Sequence, residues 1–118
     1  MSVEWIDHKG KRILYIKYQG LTPEQMIEQV RSAAKTIVAS KSKEVLSLSD
    51  VSECFIDKQF LEVAKEQGAI SLSFTKKAAV VGVTGVKKIL LNSVNLVAKK
   101  PRKAFDNVKD AKDWLVAE

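Results

Sequence analysis

One short segment, Gly82-Val83-Thr84-Gly85-Val86-Lys87-Lys88, is the best candidate for binding an anion. A strand of small and β-branched residues ends here and a helix begins, so the first amides of the helix should be free and its positive dipole end exposed. We expect a phosphate or carboxylate to bind at Thr84, Gly85, Lys87 and Lys88. The segment lacks the Gly-Lys-Ser/Thr of a phosphate loop and the third glycine of a dinucleotide site. A structural alternative therefore stays open, in which Thr84 caps the helix and the glycines allow tight packing.

A second candidate is a stretch without acidic residues. No Asp or Glu occurs between Glu66 and Asp106, whereas this stretch carries eight Lys and Arg residues. The densest run, Lys99-Lys100-Pro101-Arg102-Lys103, predicts a basic patch that would favour an acidic protein face or an anionic membrane surface. Nucleic acid is not favoured, because only Phe105 offers a ring beside the basic residues. Ordinary solvated lysines at the ends of elements explain the pattern equally well.

Residues for catalysis are scarce. The single His8 lies at a hairpin turn, and the single Cys54 is typical of a small apolar filler. With one His and one Cys, no metal site built from several of these ligands can form. Asp50 and Asp57 stand at opposite ends of a loop with no spacing that demands proton chemistry. We expect no enzyme activity, no metal and no cofactor.

Aromatic and aliphatic residues in the middle of the chain suggest a pocket. Ile70, Leu72 and Phe74 alternate with polar residues, which predicts an extended segment or a loop over the core. Between this segment and the helix before it, a pocket for an apolar ligand could be lined by Phe55, Phe60, Leu72 and Phe74. Core packing is the alternative for all of them.

These residues are positioned by elements that alternate along the chain. Strands are predicted over Val3 to Asp7, Lys11 to Tyr18, Glu44 to Val51, Ala78 to Val83 and Lys103 to Phe105. Four helices follow the last four strands, giving the order ββαβαβαβα. Strands alternating with helices pair in parallel through right-handed crossovers, so the fold class is α/β with a mixed, mostly parallel sheet.

The helix boundaries are predicted from capping residues. Thr22, Pro23 and Gln25 form a capping box with proline in the first turn. Asp57 is expected to cap the second helix and Gly68 to end it, and Asp106 is expected to cap the last helix. In the third helix Ile89 is among the residues expected to face the sheet.

Length and composition fit one domain spanning 1–118. Apolar residues make up 46% of the 118 residues and charged residues 29%, as in ordinary globular proteins. The 20 Lys and Arg against 14 Asp and Glu give a net charge of +6. The longest apolar stretch is far shorter than the roughly 20 residues that cross a bilayer. The start of the chain, with Glu4 and Asp7, does not read as a signal peptide, so a cytoplasmic location is expected.

Several segments together resemble the small bacterial STAS-like proteins, which have the SpoIIAA-like fold of the anti-sigma-factor antagonists. The resemblance extends over nearly the whole chain and is carried by the N-terminal hairpin and by the segments at 20–26, 49–52, 77–83, 103–106 and 111–115. In that family the second helix starts with an Asp-Ser-Ser/Thr-Gly-type segment whose serine is phosphorylated by a partner kinase. The matching stretch here is Ile56-Asp57-Lys58-Gln59-Phe60, in which Lys58 and Gln59 carry no hydroxyl group. Ser52 lies in the preceding loop, where serine is an ordinary turn residue.

The resemblance implies a non-catalytic STAS-like domain without the phosphoserine switch. We expect it to act in regulation by protein interaction or ligand sensing, through a zone that includes Asp50, Ser52, Asp57 and Lys58. One alternative is a carrier of a small molecule or lipid. A second is association with an anionic membrane surface. The expected partner is thus a protein or a small ligand of unknown identity.

Overall fold

Five strands form one sheet in the computed structural model, which describes residues 2–95 and 102–117. The strands are β1 (Ser2–His8), β2 (Lys11–Lys17), β3 (Val45–Asp50), β4 (Thr75–Val81) and β5 (Lys103–Phe105), and they lie side by side in chain order. The helices are α1 (Pro23–Ala39), α2 (Lys58–Ser71), α3 (Val86–Asn95) and α4 (Val108–Val116). β1 and β2 are antiparallel and all later neighbours are parallel. The predicted element order and fold class are confirmed.

The helices cover both faces of the sheet. α1, α2 and α3 lie on one face, where Leu14 and Ile16 of β2 pack with Met26 of α1. α4 lies on the other face, where Leu48 of β3 packs with Leu115. Because successive strand residues point to opposite faces, each inner strand contributes alternate residues to two separate cores. This explains the uninterrupted apolar run from Ile13 to Ile16 in β2.

The start of α1 follows the prediction. The Thr22 hydroxyl accepts from the amide of Gln25 at 3.2 Å, and the Gln25 side chain accepts from the amide of Thr22 at 3.0 Å. Pro23 occupies the first helical position, where its missing N–H costs nothing. The capping box therefore fixes where the chain turns from the sheet into this helix.

The predicted end of α2 at Gly68 is wrong. Asp57 caps the helix as expected, accepting from the amide of Phe60 at 2.7 Å, but the helix continues to Ser71. Gly68 keeps a helical conformation, and a Cβ built on it would lie 3.1 Å from the Arg102 guanidinium. The glycine makes room for this side chain instead of supplying a left-handed cap.

The predicted extended segment over Ile70, Leu72 and Phe74 is also wrong. Ile70 is in α2 and is 53% exposed, and residues Leu72–Phe74 form one 3-10 turn before β4. The Ser71 hydroxyl donates to the carbonyl of Gln67 at 3.0 Å, a contact typical of serine inside a helix. The apolar–polar alternation thus arises at a helix end rather than in a strand.

At α4 the cap is Asn107 and not the predicted Asp106. The Asn107 side chain accepts from the amide of Asp110 at 2.8 Å and donates to its carboxylate at 3.1 Å. This reciprocal contact caps the helix one residue later than predicted. At the other end of α4, the Lys77 ammonium donates to the carbonyls of Trp114 at 2.9 Å and Ala117 at 2.8 Å.

Candidate functional site: a cavity between the sheet and three helices

The loop after β3 holds two residues of the expected interaction zone. The Asp50 carboxylate accepts from the amide of Ser52 at 3.0 Å and from the Ser52 hydroxyl. Gly82, at the end of β4, packs directly on this turn, since a Cβ there would lie 2.5 Å from the Ser52 amide nitrogen. Its φ of +89° also favours glycine. Ser52 is therefore part of a tightly packed turn, as the turn interpretation predicts.

The expected anion segment is largely engaged by the protein itself. The amides of Lys87 and Lys88 donate to the carbonyls of Thr84 and Gly85, each at 3.1 Å. The Lys87 ammonium donates to the carbonyl of Val51 at 2.7 Å, which ties α3 to the loop after β3. Thr84, Gly85 and Lys88 are exposed. The segment thus joins the ends of β3 and β4 and leaves fewer free donors than the sequence indicates.

The feature with the best shape for a ligand is a cavity of about 440 Å³, named here the sheet–helix cavity. It lies between the α1–α2–α3 face of the sheet and those three helices. Its floor is formed by β2, β3 and β4, and its lining extends to exposed Ala69 on α2, which places one rim at the surface beside that helix. Ligand pockets in proteins commonly have volumes of about 300–1,000 Å³, so this cavity is large enough for a small molecule.

The cavity exists because small side chains face one another from four elements. They are Ala33 and Ala34 of α1, Ser47 and Ser49 of β3, Ala64, Gly68 and Ala69 of α2, and Ala78 of β4. Protein interiors are normally close-packed, with few voids larger than a water molecule. Eight short side chains in one layer therefore remove the volume that leucine or valine would fill at these positions.

Among the described residues that line the cavity, the polar side chains are either uncharged or basic. Within the described part of the chain, its charged lining residues are Lys65, Lys87 and Arg102, and no carboxylate lines it. Burial lowers the pKa of Arg102 from its ordinary value, while nearby Tyr18 opposes this shift. Burial raises the pKa of Tyr18, so its hydroxyl stays protonated. Tyr18 packs edge-on against Phe60, with ring centroids 5.5 Å apart.

The predicted apolar pocket is met in part. Phe60 and Leu72 line the sheet–helix cavity. Phe74 packs against the core, and Phe55 is 72% exposed. In α3, Ile89 was expected to face the sheet but is 69% exposed, whereas Leu91 lines the cavity.

The described residues of the expected basic patch lie on opposite faces of the sheet. Lys99 and Lys100 lie outside the described residues. Arg102 points into the sheet–helix cavity, while Lys103 is exposed on the α4 side, with its ammonium 5.6 Å from the Trp114 ring centroid. Adjacent residues at a strand point to opposite faces, so the two charges cannot share one surface.

The two residues considered for catalysis lie apart. The Cys54 thiol is 3.1 Å from the carbonyl of Val51, and burial raises its pKa, which disfavours the reactive thiolate. The His8 ring contacts the Asp113 carboxylate at 2.8 Å, on the α4 side of the molecule. Among the residues described, no three His, Cys, Asp or Glu side chains cluster as metal ligands would.

Lys58 is exposed in the first turn of α2, directly after the Asp57 cap. The position at which the resemblance would place a phosphorylated serine is therefore at the start of this helix, where Lys58 and Gln59 stand.

The cavity residues that the sequence analysis missed are Ser47, Ser49, Ala78 and Gly68, together with the inward direction of Arg102. One signal was available in β3, where Leu46 and Leu48 alternate with Ser47 and Ser49. A strand covered on both faces should be apolar on both. Serines on one face of such a strand indicate missing side-chain volume there.

Comparison with known proteins identifies the fold. An uncharacterised protein of the DUF3478 family from Shewanella loihica PV-4, described as having a SpoIIAA-like fold, matches with a TM-score of 0.75. The two sequences are 20% identical, and the match covers 97% of this chain and 92% of the other. This chain therefore has the SpoIIAA-like α/β fold. No protein-family model and no curated protein matches the sequence.

In the described ranges, none of the helices is long and apolar enough to span a bilayer.

Proposed function

We propose that the protein is a non-catalytic binding domain that holds a small, largely apolar molecule in the sheet–helix cavity, as a sensor or carrier. The observation that carries this proposal is the cavity itself, about 440 Å³ in volume and bounded by short side chains from four elements. The SpoIIAA-like fold is compatible with a binding role. Burial of a ligand's apolar surface would supply about 25 cal/mol for each Å² removed from water.

The test is binding of the neutral fluorophore N-phenylnaphthylamine, followed by its increase in emission in apolar surroundings. The wild-type protein should bind it saturably. Ala64→Phe places a ring in the cavity and should weaken binding about tenfold or more, which corresponds to about 1.4 kcal/mol. Ala39→Phe is the matched control, because Ala39 is an exposed helical alanine that does not line the cavity.

Two outcomes would contradict the proposal. One is the absence of saturable binding to the wild-type protein, and the other is equal weakening by Ala64→Phe and Ala39→Phe. Native mass spectrometry of the purified protein gives a second readout, in which a co-purified small molecule supports the proposal and should be lost in Ala64→Phe.

A second candidate function is association with an anionic membrane surface. Phe55, in the loop before α2, and Ile89 of α3 are 72% and 69% exposed, and each has an exposed lysine nearby, Lys58 and Lys88. Ile56, next to Phe55, and Leu91, on the same helix as Ile89, both line the sheet–helix cavity. Apolar side chains next to lysines are typical of surfaces that lie on anionic bilayers.

This candidate is tested by co-sedimentation with phosphatidylglycerol-containing vesicles. The bound fraction should fall as salt rises, because the lysine contribution is screened. Phe55→Ser should lower binding severalfold, and Val38→Ser, at a half-exposed site on α1, should not. Failure to sediment with these vesicles even at low salt would rule out this candidate and leave the cavity proposal intact.

A further inference from the structure

The charge of the sheet–helix cavity is one-sided. Its lining combines apolar side chains with Lys65, Lys87 and Arg102, and the described part of the lining holds no Asp or Glu. Three basic side chains with no described carboxylate beside them make the electrostatic potential in the cavity positive. A positive potential favours a ligand that carries a negative charge.

Arg102 is the cation placed to meet that charge. The Lys87 ammonium is held by the carbonyl of Val51 at 2.7 Å, and Lys65 belongs to the outer helix α2. Arg102 lies beside Gly68 and close enough to buried Tyr18 for the two side chains to affect each other's ionisation. It also interacts with other groups of the protein. Because a guanidinium has five N–H donors in a planar fork, it can still bind the two oxygens of a carboxylate.

Gly68 indicates that the position of Arg102 matters. A glycine inside a helix makes the helix less stable than an alanine at the same position. Here it allows the Arg102 guanidinium to lie against α2, since an alanine Cβ would be only 3.1 Å from its terminal nitrogen. Tyr18, whose hydroxyl remains protonated, adds a further donor from the sheet side of the cavity.

We propose that the ligand is an amphiphile with a carboxylate head and an aliphatic chain, such as a fatty acid, with the head bound by Arg102 and the chain lying among the short side chains of the sheet–helix cavity. This inference rests on the proposed binding function and specifies the chemistry of its ligand. The carboxylate would complement the basic side chains of the described lining, and the chain would fill the volume left by alanine, serine and glycine.

The experiment compares decanoate with decanol as competitors for bound N-phenylnaphthylamine at neutral pH, below the concentration at which decanoate forms micelles. The two probes have the same chain and differ in the charge of the head. The wild-type protein should prefer decanoate about tenfold or more, as expected of a charge-assisted bidentate contact. Decyl phosphate is a third competitor, and its binding more tightly than decanoate would overturn the assignment of a carboxylate head.

Arg102→Met should abolish the preference, because it should lower decanoate affinity about tenfold more than decanol affinity. Arg102→Lys, which keeps the charge but not the fork, should restore only part of it. Lys103→Met is the matched control: it removes one positive charge from the neighbouring residue on the opposite face, and it should bind as wild type.

The possible results separate the two proposals. If wild type binds the fluorophore but decanoate and decanol compete equally, the carboxylate assignment is wrong and the cavity function stands. If Arg102→Met keeps the preference, Arg102 is not the head-group residue. If the wild-type protein binds none of the probes, both proposals fail. The comparison of decanoate with decanol uses the wild-type chain. It therefore tests whether the cavity prefers a carboxylate head even if Arg102→Met does not fold.

Discussion

Asp113 is the centre of a small cluster of charges on the α4 side. Its carboxylate contacts His8 at 2.8 Å, Lys9 at 3.1 Å and Lys109 at 3.3 Å. Hydrogen bonds from His8 first, then from Lys9 and Lys109, hold the pKa of Asp113 well below its usual range. The cluster ties the β1–β2 hairpin to the last helix.

The lowered pKa of Asp113 predicts a dependence of stability on pH. A carboxylate with a lower pKa in the folded state stabilises the fold above the unfolded pKa, near 4, and loses this effect as pH falls towards the folded pKa. Asp113→Asn should therefore lower the urea midpoint at pH 5 and above. The difference from wild type should shrink as pH falls from about 4 to 2. Urea unfolding over this range provides the measurement.

Asp106→Asn is the control for that series, because Asp106 is an exposed acid of the same end of the chain. It should show little difference from wild type at any of these pH values. A difference between Asp113→Asn and wild type that stays constant down to pH 2 would mean that the carboxylate charge does not contribute to stability.

The same cluster includes a contact that could not be predicted from the residues around His8. His8 lies at a hairpin turn as predicted, and Lys9 and Gly10 in that turn both have positive φ. Its partner Asp113 lies 105 residues further along the chain. Nothing in the local pattern around His8 could identify that partner, because the contact depends on where α4 crosses the sheet.

At the scale of elements, capping residues predict most of the helix starts but fewer of the helix ends. The capping box at Thr22 and the cap at Asp57 are decided within four residues, so they could be predicted from the sequence. The end of α2 could not, because the helix runs through Gly68 to Ser71, and in the sequence a glycine inside a helix looks the same as one that ends it. Competition between adjacent capping residues explains the one-residue error at Asn107, where a reciprocal contact with Asp110 decides the outcome.

In strand β3, the serines on one face are a sequence signal whose meaning depends on the helices that pack against the strand. A short strand is predicted here over Glu44 to Val51, and β3 spans Val45–Asp50. The consequence of the serines depends on what faces them, namely Ala33, Ala34 and Ala64 on two helices. If only one element carried short side chains, larger side chains opposite would fill the space beside them. The cavity could therefore be found only once the positions of the helices were known.

For the whole molecule, the residues that would let the sheet–helix cavity bind a ligand are expected to lower the stability of the ligand-free fold. The short side chains that keep it open also remove apolar contacts that would stabilise the ligand-free fold, a trade that is common at functional sites. Gly68 shows these opposing effects most clearly. It lowers the stability of α2 as a helix, and it gives space to the guanidinium of Arg102. Its replacement should therefore change stability and ligand binding in opposite directions.

Gly68→Ala should raise the free energy of unfolding by up to about 1 kcal/mol, because alanine is the better helix former and the Gly68 backbone is helical. The added Cβ should displace the Arg102 guanidinium by a few tenths of an ångström or more and weaken decanoate binding severalfold more than decanol binding. Urea unfolding and the competition assay measure the two effects on one protein preparation. Gln59→Ala, an exposed helical position outside the cavity lining, should change neither strongly. A Gly68→Ala protein that is more stable and binds decanoate as wild type would show that the glycine does not position Arg102 for the carboxylate.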